Sequence, residues 1–240
     1  MLRSPRPPLS GVSYTLLDYD EFISTCQAEE GWTIENIGPS SDPTKDMFGM
    51  LLGDPETQPV IYVVSSIHGN EWQAAYISQA FRRLLVSPPP GHKENFEMLR
   101  NTFAWYFVPV GNPYGIQLRK DLPEGDRFTG RYNANGVDLN RNFTTQSQPE
   151  TQAIVSKFNE LKPVALIDVH GIGYTRYLDI GARDPDYRVL AQRIKEATHA
   201  SIGGKGIHWY GSETSGRLRG WATKQDSKHG SKSLAFLIEI

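Results

Sequence analysis

His68-Gly69-Asn70-Glu71 sets an imidazole and a carboxylate three residues apart, a spacing that turns both toward one side of a helical turn. Side chains placed in this way can share a zinc ion. A second imidazole, His170, follows the apolar run Val164–Val169 in Asp168-Val169-His170-Gly171. Two His and one Glu leave a fourth zinc position open, the stoichiometry of a catalytic rather than a structural site. Each piece alone says little. A lone His near a strand end is usually a hydrogen-bonded core or surface residue, and His-x-x-Glu is common.

Two further patterns add weight. Val137-Asp138-Leu139-Asn140-Arg141-Asn142-Phe143 follows the turn-forming Asn133-Ala134-Asn135-Gly136. An Asn–Arg pair on such a loop can offer a fork of donors to a carboxylate, Arg141 supplying a bidentate contact and Asn140 another donor. Glu239 closes the apolar run Leu234-Ala235-Phe236-Leu237-Ile238. A carboxylate buried unpaired costs several kcal/mol or titrates at a raised pKa. A raised pKa suits a general base working near neutral pH.

The elements that must position these groups are readable from periodicity. Four near-continuous apolar runs, 60–67, 103–110, 164–169 and 233–240, read as strands in a sheet covered on both faces. Segments 32–37 and 46–52 read as a hairpin with a wide loop at Gly38-Pro39-Ser40-Ser41-Asp42-Pro43. Asp18 caps a helix over 19–29 with Phe22, Ile23 and Cys26 inward. A second helix over 71–86 places Ala74, Ile77, Phe81, Leu84 and Leu85 on its inner face, and a third over 150–161 uses Ile154, Phe158 and Leu161. A fourth opens at Asp184-Pro185-Asp186 and ends before Gly203-Gly204. Strands alternating with helices imply a single α/β domain: a mixed, mostly parallel β-sheet flanked by helices on both faces. The stretches 111–149, 171–183 and 203–232 read as long irregular loops. Since open α/β sheets bind ligands outside the carboxyl ends of their strands, the chemistry is expected there.

Composition removes several function classes. The 240 residues hold 25 Lys+Arg against 27 Asp+Glu, a net charge of -2 that argues against a nucleic-acid partner. The single Cys26 excludes an intramolecular disulfide framework or a Cys-rich zinc module. No apolar run approaches the roughly 20 residues that span a bilayer, and the start Met-Leu-Arg-Ser-Pro-Arg-Pro-Pro lacks a signal-peptide core. The expectation is a cytoplasmic protein with non-classical release left open, with a Pro-rich lead-in over 1–11 and one catalytic domain over 12–240.

Taken together, the motifs resemble the zinc carboxypeptidases, the M14 metallopeptidase family. The matching pieces run in the family's order: His68-Gly69-Asn70-Glu71, Pro109-Val110-Gly111-Asn112-Pro113-Tyr114-Gly115, Val137–Phe143, Asp168-Val169-His170-Gly171 and Ile238-Glu239. They cover the chain from about residue 32 to its end. The Asn-Ala-Asn-Gly-Val-Asp-Leu-Asn-Arg-Asn-Phe stretch is similar to the short bacterial branch that trims murein peptides.

The resemblance implies a fold of that type and one Zn²⁺ per chain held by His68, Glu71 and His170, a His₂Glu set known from carboxypeptidase A itself. It implies that Glu239 is the general base, taking a proton from the attacking water and passing it to the leaving amine. Asn140 and Arg141 would bind the terminal carboxylate. An Arg upstream of that pair polarises the scissile carbonyl in the family; Arg127 and Arg131 both lie there, and Arg131 is preferred as the nearer. A flexible active-site Tyr precedes a Ser-Gly-x-x-x-x-Trp segment, here Ser215–Trp221, making Tyr210 the candidate with a two-residue offset. Two departures stand out. The chain ends one residue after Glu239, where family members usually continue into a helix. Arg219 replaces the acidic or apolar residue that often selects the substrate side chain.

The implied partner is a peptide with a free C-terminal carboxylate, a murein peptide among the options, with no nucleic acid and no membrane. Arg219 at the bottom of the pocket would favour an acidic or diaminopimelate-type terminal residue; Arg219 in a solvated charge run with Arg217, Lys224, Lys228 and Lys232 would select nothing. Two other classes share the pattern. A desuccinylase- or aspartoacylase-like zinc deacylase has the same ligands but matches Val137–Phe143 less well, and a non-catalytic binding module would be expected to lack a ligand or the base. Because a ligating imidazole must be neutral, zinc affinity is expected to fall below about pH 6.

Overall fold

The computed structural model describes residues 15–171, 177–181, 193, 207–209, 216–230 and 232–239. Its strands in chain order are β1 (Thr33–Pro39), β2 (Asp46–Leu52), β3 (Val60–Ser65), β4 (Ala104–Val108), β5 (Ala165–His170), β6 (Tyr177–Gly181), β7 (Ile207–Trp209) and β8 (Leu234–Glu239). They form one sheet in the order β1-β2-β4-β3-β5-β8-β6-β7. The four apolar runs are its centre: β4, β3, β5 and β8 lie side by side and parallel. The hairpin β1-β2 adds antiparallel to β4 on one side, and β6 adds antiparallel to β8 on the other.

Alternation along the central strands supplies both faces. Ile61, Val63, Trp105 and Phe107 pack on one side with α1 (Tyr19–Gln27), α2 (Gln73–Val86) and α3 (Lys93–Thr102). Val60, Tyr62, Val64, Tyr106 and Val108 pack on the other with α5 (Pro149–Leu161) and α6 (Leu218–Ala222). Each fully buried side chain of this size contributes about 1.5–3 kcal/mol relative to exposure. Asp18 caps α1 as expected, accepting from Glu21 N at 2.8 Å, while the Glu21 carboxylate accepts from Asp18 N.

Three expectations are corrected. The inner face of α2 is only partly the apolar stripe: Ala74 and Leu85 are buried and Phe81 packs against the core, but Ile77 is exposed, and Ser78, Gln79 and Arg82 are buried. Those polar groups find partners the stripe cannot reveal. Arg82 donates from Nε and Nη2 to the Glu29 carboxylate at 2.9 and 3.2 Å, and Gln79 donates to Thr25 Oγ1 at 2.9 Å. A buried polar group with its hydrogen bonds satisfied is stable where an unsatisfied one is not. Next, the stretch from 111 is not wholly irregular, because α4 (Pro113–Asp121) begins in it. Asn112 accepts from Gly115 N at 2.9 Å and Pro113 occupies the first helical position, where a missing N–H goes unused. Finally, β6, β7 and α6 lie in the other two stretches read as loops. Of the helix expected from Asp184, only Arg193 lies within the described residues.

Because β3, β5 and β8 are parallel and adjacent, their carboxyl ends share one edge of the sheet. His68 follows β3, His170 ends β5, and Glu239 ends β8 in register with His170. Among the described residues no helix is long and apolar enough to cross a membrane.

Candidate metal centre

The chain leaves β3 through Ser66, which is buried and left-handed at φ 52°. A non-glycine residue in that region is strained, and such strain gathers at functional sites. The Ser66 hydroxyl accepts from Ala75 N at 3.1 Å and donates to Glu71 O at 3.3 Å, tying the strand end to the start of α2. Between them Gly69–Glu71 forms a single 3₁₀ turn that carries Glu71 back toward His68. Gly69 has no room for a side chain: a Cβ there would meet the Gly115 backbone at 2.0 Å, and Gly69 N donates to Gly130 O at 2.8 Å. That contact brings α4 and the loop before Arg131 against the turn.

His68, Glu71 and His170 are all buried, and one ligand atom from each lies within 4.8 Å of the others. His68 Nδ1 is 2.9 Å from Glu71 Oε1, and His170 Nδ1 is 2.7 Å from Glu71 Oε2. The far nitrogens face other acids, His68 Nε2 toward Asp138 Oδ1 at 3.0 Å and His170 Nε2 toward Asp168 Oδ1 at 3.1 Å. A ligating imidazole ordinarily has its second nitrogen held by a carboxylate in this way. Two ring nitrogens and one carboxylate, converging and buried, fit a zinc ion.

The electrostatics agree. Burial pushes the Glu71 carboxyl up, but the charge and hydrogen bonds of His170 and His68 outweigh it and hold the group well below the usual carboxylate range. Asp138 behaves likewise, its burial outweighed by His68 and Arg131. Burial alone would lower His170; the carboxylates of Asp168 and Glu71 prevail and raise it well above an ordinary imidazole. In the metal-free protein a proton on His170 supplies part of the positive charge that the acids around it demand.

Arg131 reaches this centre. Its Nη2 donates to Asp138 Oδ2 at 2.8 Å, and its Nη1 stands 3.7 Å from Glu71 Oε1 and 3.4 Å from His68 Nδ1. Asp138 therefore holds both a histidine and Arg131, a part the sequence reading did not give it although it lies inside the Val137–Phe143 motif. Arg127 is placed differently, its guanidinium over the exposed Phe128 ring at 4.7 Å.

Asn140 and Arg141 sit beside the centre on a short 3₁₀ turn capped by Asp138. Asn140 Oδ1 accepts from Leu218 N at 3.1 Å, so its Nδ2 is the end turned toward His170, 3.4 Å from Nε2. Arg141 is exposed and donates from Nη1 to the Asn140 carbonyl at 2.8 Å. Asn142 then fixes the loop: its Oδ1 accepts from Thr151 Oγ1 at 2.7 Å and Gln148 N at 3.1 Å, and its Nδ2 donates to Thr145 Oγ1 and Ser147 Oγ, both at 2.9 Å. Glu150, fully buried, accepts from Ser41 N and Oγ and from Asn133 Nδ2. Neither Asn142 nor Glu150 shows a periodic signal in the sequence; only a polar residue flanking a motif could have flagged them.

Gly216 joins this loop to α6. It is left-handed at φ +83°, and a Cβ there would lie 2.4 Å from Arg141 O. Phe143 N donates to Gly216 O at 3.0 Å and Gly216 N to Thr144 Oγ1 at 2.9 Å. Arg219, one turn on, is buried, unlike the exposed Lys224 and Lys228. Tyr210 lies outside the described residues, and Glu239 is described by its backbone alone.

Comparison with known proteins agrees with this geometry. The family profile Peptidase_M14, zinc carboxypeptidase, matches residues 23–225. Carboxypeptidase E of Caenorhabditis elegans is 32% identical over 89 residues, covering 36% of this chain and 19% of that protein. The metallo-carboxypeptidase of Burkholderia cenocepacia superposes with a TM-score of 0.67 at 18% identity, covering 92% of this chain and 59% of that one. Thrombin activatable fibrinolysis inhibitor superposes with a TM-score of 0.72 at 18% identity, covering 92% and 65%. At that identity the two superpositions establish the fold. The chain spans about a fifth of the curated relative's length.

Proposed function

The chain belongs to the zinc carboxypeptidase family, and from that premise we propose that it is a zinc-dependent carboxypeptidase, cleaving the amide bond beside a free terminal carboxylate. The observation that carries this reading is the convergence of His68, Glu71 and His170 within 4.8 Å, with the Asn140 amide 3.4 Å from one of the ligands. A hydrolytic centre and a carboxylate donor are thus adjacent.

These three residues would hold zinc, which when bound supplies a Lewis acid that polarises the carbonyl and acidifies water. The chain's own groups do the rest. Asn140 Nδ2 and the Arg141 guanidinium bind the substrate carboxylate through charge-assisted hydrogen bonds, setting the scissile carbonyl at the centre. Arg131, held by Asp138, donates to the carbonyl oxygen as negative charge develops on it. Glu239 takes one proton from the attacking water and delivers it to the leaving nitrogen, so that amide and water become acid and amine. The β8 register, which sets Glu239 beside His170, supports that role.

The preferred terminal residue carries an acidic side chain. Arg219 is buried on the helix whose first N–H bonds Asn140, which sets that helix beside the proposed carboxylate site. A cation there favours Glu or a diaminopimelate-type residue and repels Lys and Arg. Murein peptides offer such ends.

Paired peptides ending in Glu or Gln, each as free acid and as amide, test the reading on the zinc-loaded protein. Free acids should be cleaved about ten- to a hundredfold faster than amides, since a charge-assisted pair contributes about 1.5–3 kcal/mol. Glu should exceed Gln, and Glu239→Gln should retain zinc while slowing turnover by about 10². Equal cleavage of acid and amide removes the carboxypeptidase assignment; activity confined to N-acyl amino acids points to a deacylase.

A further inference from the structure

Asp168 is a carboxylate in the middle of the sheet with no evident reason to be there. It lies on the central strand β5, aligned with Val64 of β3 and Leu237 of β8, and is fully buried. Among the described residues neither of its oxygens accepts a well-aligned hydrogen bond. The near group is His170 Nε2, 3.1 Å from Oδ1. The distance is that of an ion pair; only the angle falls short of a hydrogen bond. A buried ion left alone costs several kcal/mol, so the nitrogen facing Asp168 must carry a proton.

That demand decides which tautomer His170 adopts. A neutral imidazole has one protonated nitrogen and one acceptor. With hydrogen on Nε2, the bond goes to Asp168, Nδ1 is left as the ligand, and the Asn140 amide 3.4 Å away stays available. With hydrogen on Nδ1, the ligand position is closed. Nε2 becomes an acceptor facing Asn140 Nδ2, which would spend its N–H on the histidine instead of a substrate.

We propose that Asp168 is a positioning residue that locks His170 in the Nε2–H form, keeping Nδ1 open for the metal and Asn140 Nδ2 open for the substrate carboxylate. The proposal rests on the reading of His170 as a zinc ligand. It extends that reading, because one buried acid then serves both metal affinity and carboxylate recognition.

The test is zinc affinity, measured by competition with a chelating indicator on metal-stripped protein, together with the melting temperature of the stripped protein. Asp168→Asn keeps the shape but can donate to Nε2, favouring the wrong tautomer. Zinc affinity should fall 10- to 100-fold, the usual consequence of losing such a partner, whether or not loss of the Asp168–His170 ion pair also lowers the melting temperature of the stripped protein. A merely structural Asp168 would give a lower melting temperature with wild-type zinc affinity, and that result overturns the proposal. His170→Ala is the control: if it retains wild-type zinc affinity, the ligand assignment itself has failed. Should Asp168→Asn not fold, the wild-type zinc protein suffices. A His170 Nε2 proton shifted downfield and protected from exchange supports the lock, and one exchanging freely with water overturns it.

Discussion

The metal half of the site and the loop half are held by different forces. His68, Glu71 and His170 project from strand ends and a helix start, on a sheet whose central residues are buried on both faces. Their positions follow from apolar packing, which is spread over dozens of side chains. Residues 133–151 have almost no regular structure before α5 and pack few apolar groups; Asn133, Asn142, Gln148 and Glu150 hold them through side-chain hydrogen bonds. Packing loses a little with each substitution, whereas a buried polar network fails when one member is removed, because its partners are left unsatisfied.

The sharpest way to break the comparison is Asn142→Ala. It removes four hydrogen bonds and leaves the buried Gln148 N–H without its acceptor. The expected cost in loop order is about 2–4 kcal/mol. That should appear as a fall of about 30- to 900-fold in kcat/KM for free-acid peptides. Zinc affinity should fall less, by no more than about tenfold, since the three ligands stay on the sheet and the helix start and only the Asp138 contact to His68 is loosened. Titration of the stripped variant with zinc, beside kinetics on one peptide, decides it. If zinc is lost together with activity, the two halves are a single unit and the contrast is wrong.

The metal half has its own weakness, protonation. Although burial works to lower it, His170 is raised by Asp168 and Glu71, so its proton stabilises the metal-free fold. That contribution is complete below the ordinary imidazole pKa and is lost as pH rises through the raised value. Zinc needs Nδ1, the nitrogen facing Glu71, bare and must displace the proton there, while Nε2 keeps the proton that faces Asp168. Affinity should therefore climb with pH by up to about tenfold per unit, and keep climbing above pH 7. The window lies higher than the pH 6 expected from an unperturbed histidine. Dissociation constants measured from pH 6 to 9 test this, and a plateau already reached by pH 7 would refute it. Carboxylate recognition has no such group, so KM effects should be flat over the same range.

The same division explains what could be read from the sequence. The four central strands, the hairpin, the cap at Asp18 and the His68–Glu71–His170 set were all legible, because apolar runs and ligand spacing are local signals. Arg82 was not, since its partners lie over fifty residues away, Cys26 on α1 and Glu29 just beyond its end. Nor were Asp138, Asp168 and Ser66. Each matters through a neighbour: a histidine's second nitrogen in the first two cases, and a left-handed backbone joint in the third. Polar residues whose work is to satisfy other polar groups leave no period, so 111–149 read as a featureless loop although Asn112-Pro113 opens a helix within it.

The smallest effect is expected at Arg127, the residue the sequence ranked behind Arg131 for the same role. Its side chain lies over the exposed Phe128 ring, an interaction of about 0.5–1 kcal/mol at such a site, whereas Arg131 stands within 3.7 Å of Glu71 and is anchored by Asp138. Asn70 Nδ2 holds the Arg127 carbonyl at 2.8 Å, a backbone contact that survives truncation of the side chain. Arg127→Ala should therefore leave kcat/KM within about twofold and zinc affinity unchanged, as most surface substitutions do. Steady-state kinetics on a free-acid peptide checks it at two salt concentrations, because any residual effect from long-range steering should shrink as salt rises. A hundredfold loss that persists in high salt would mean that Arg127 leaves Phe128 when substrate binds and polarises the carbonyl itself, and the roles given to the two arginines would then exchange.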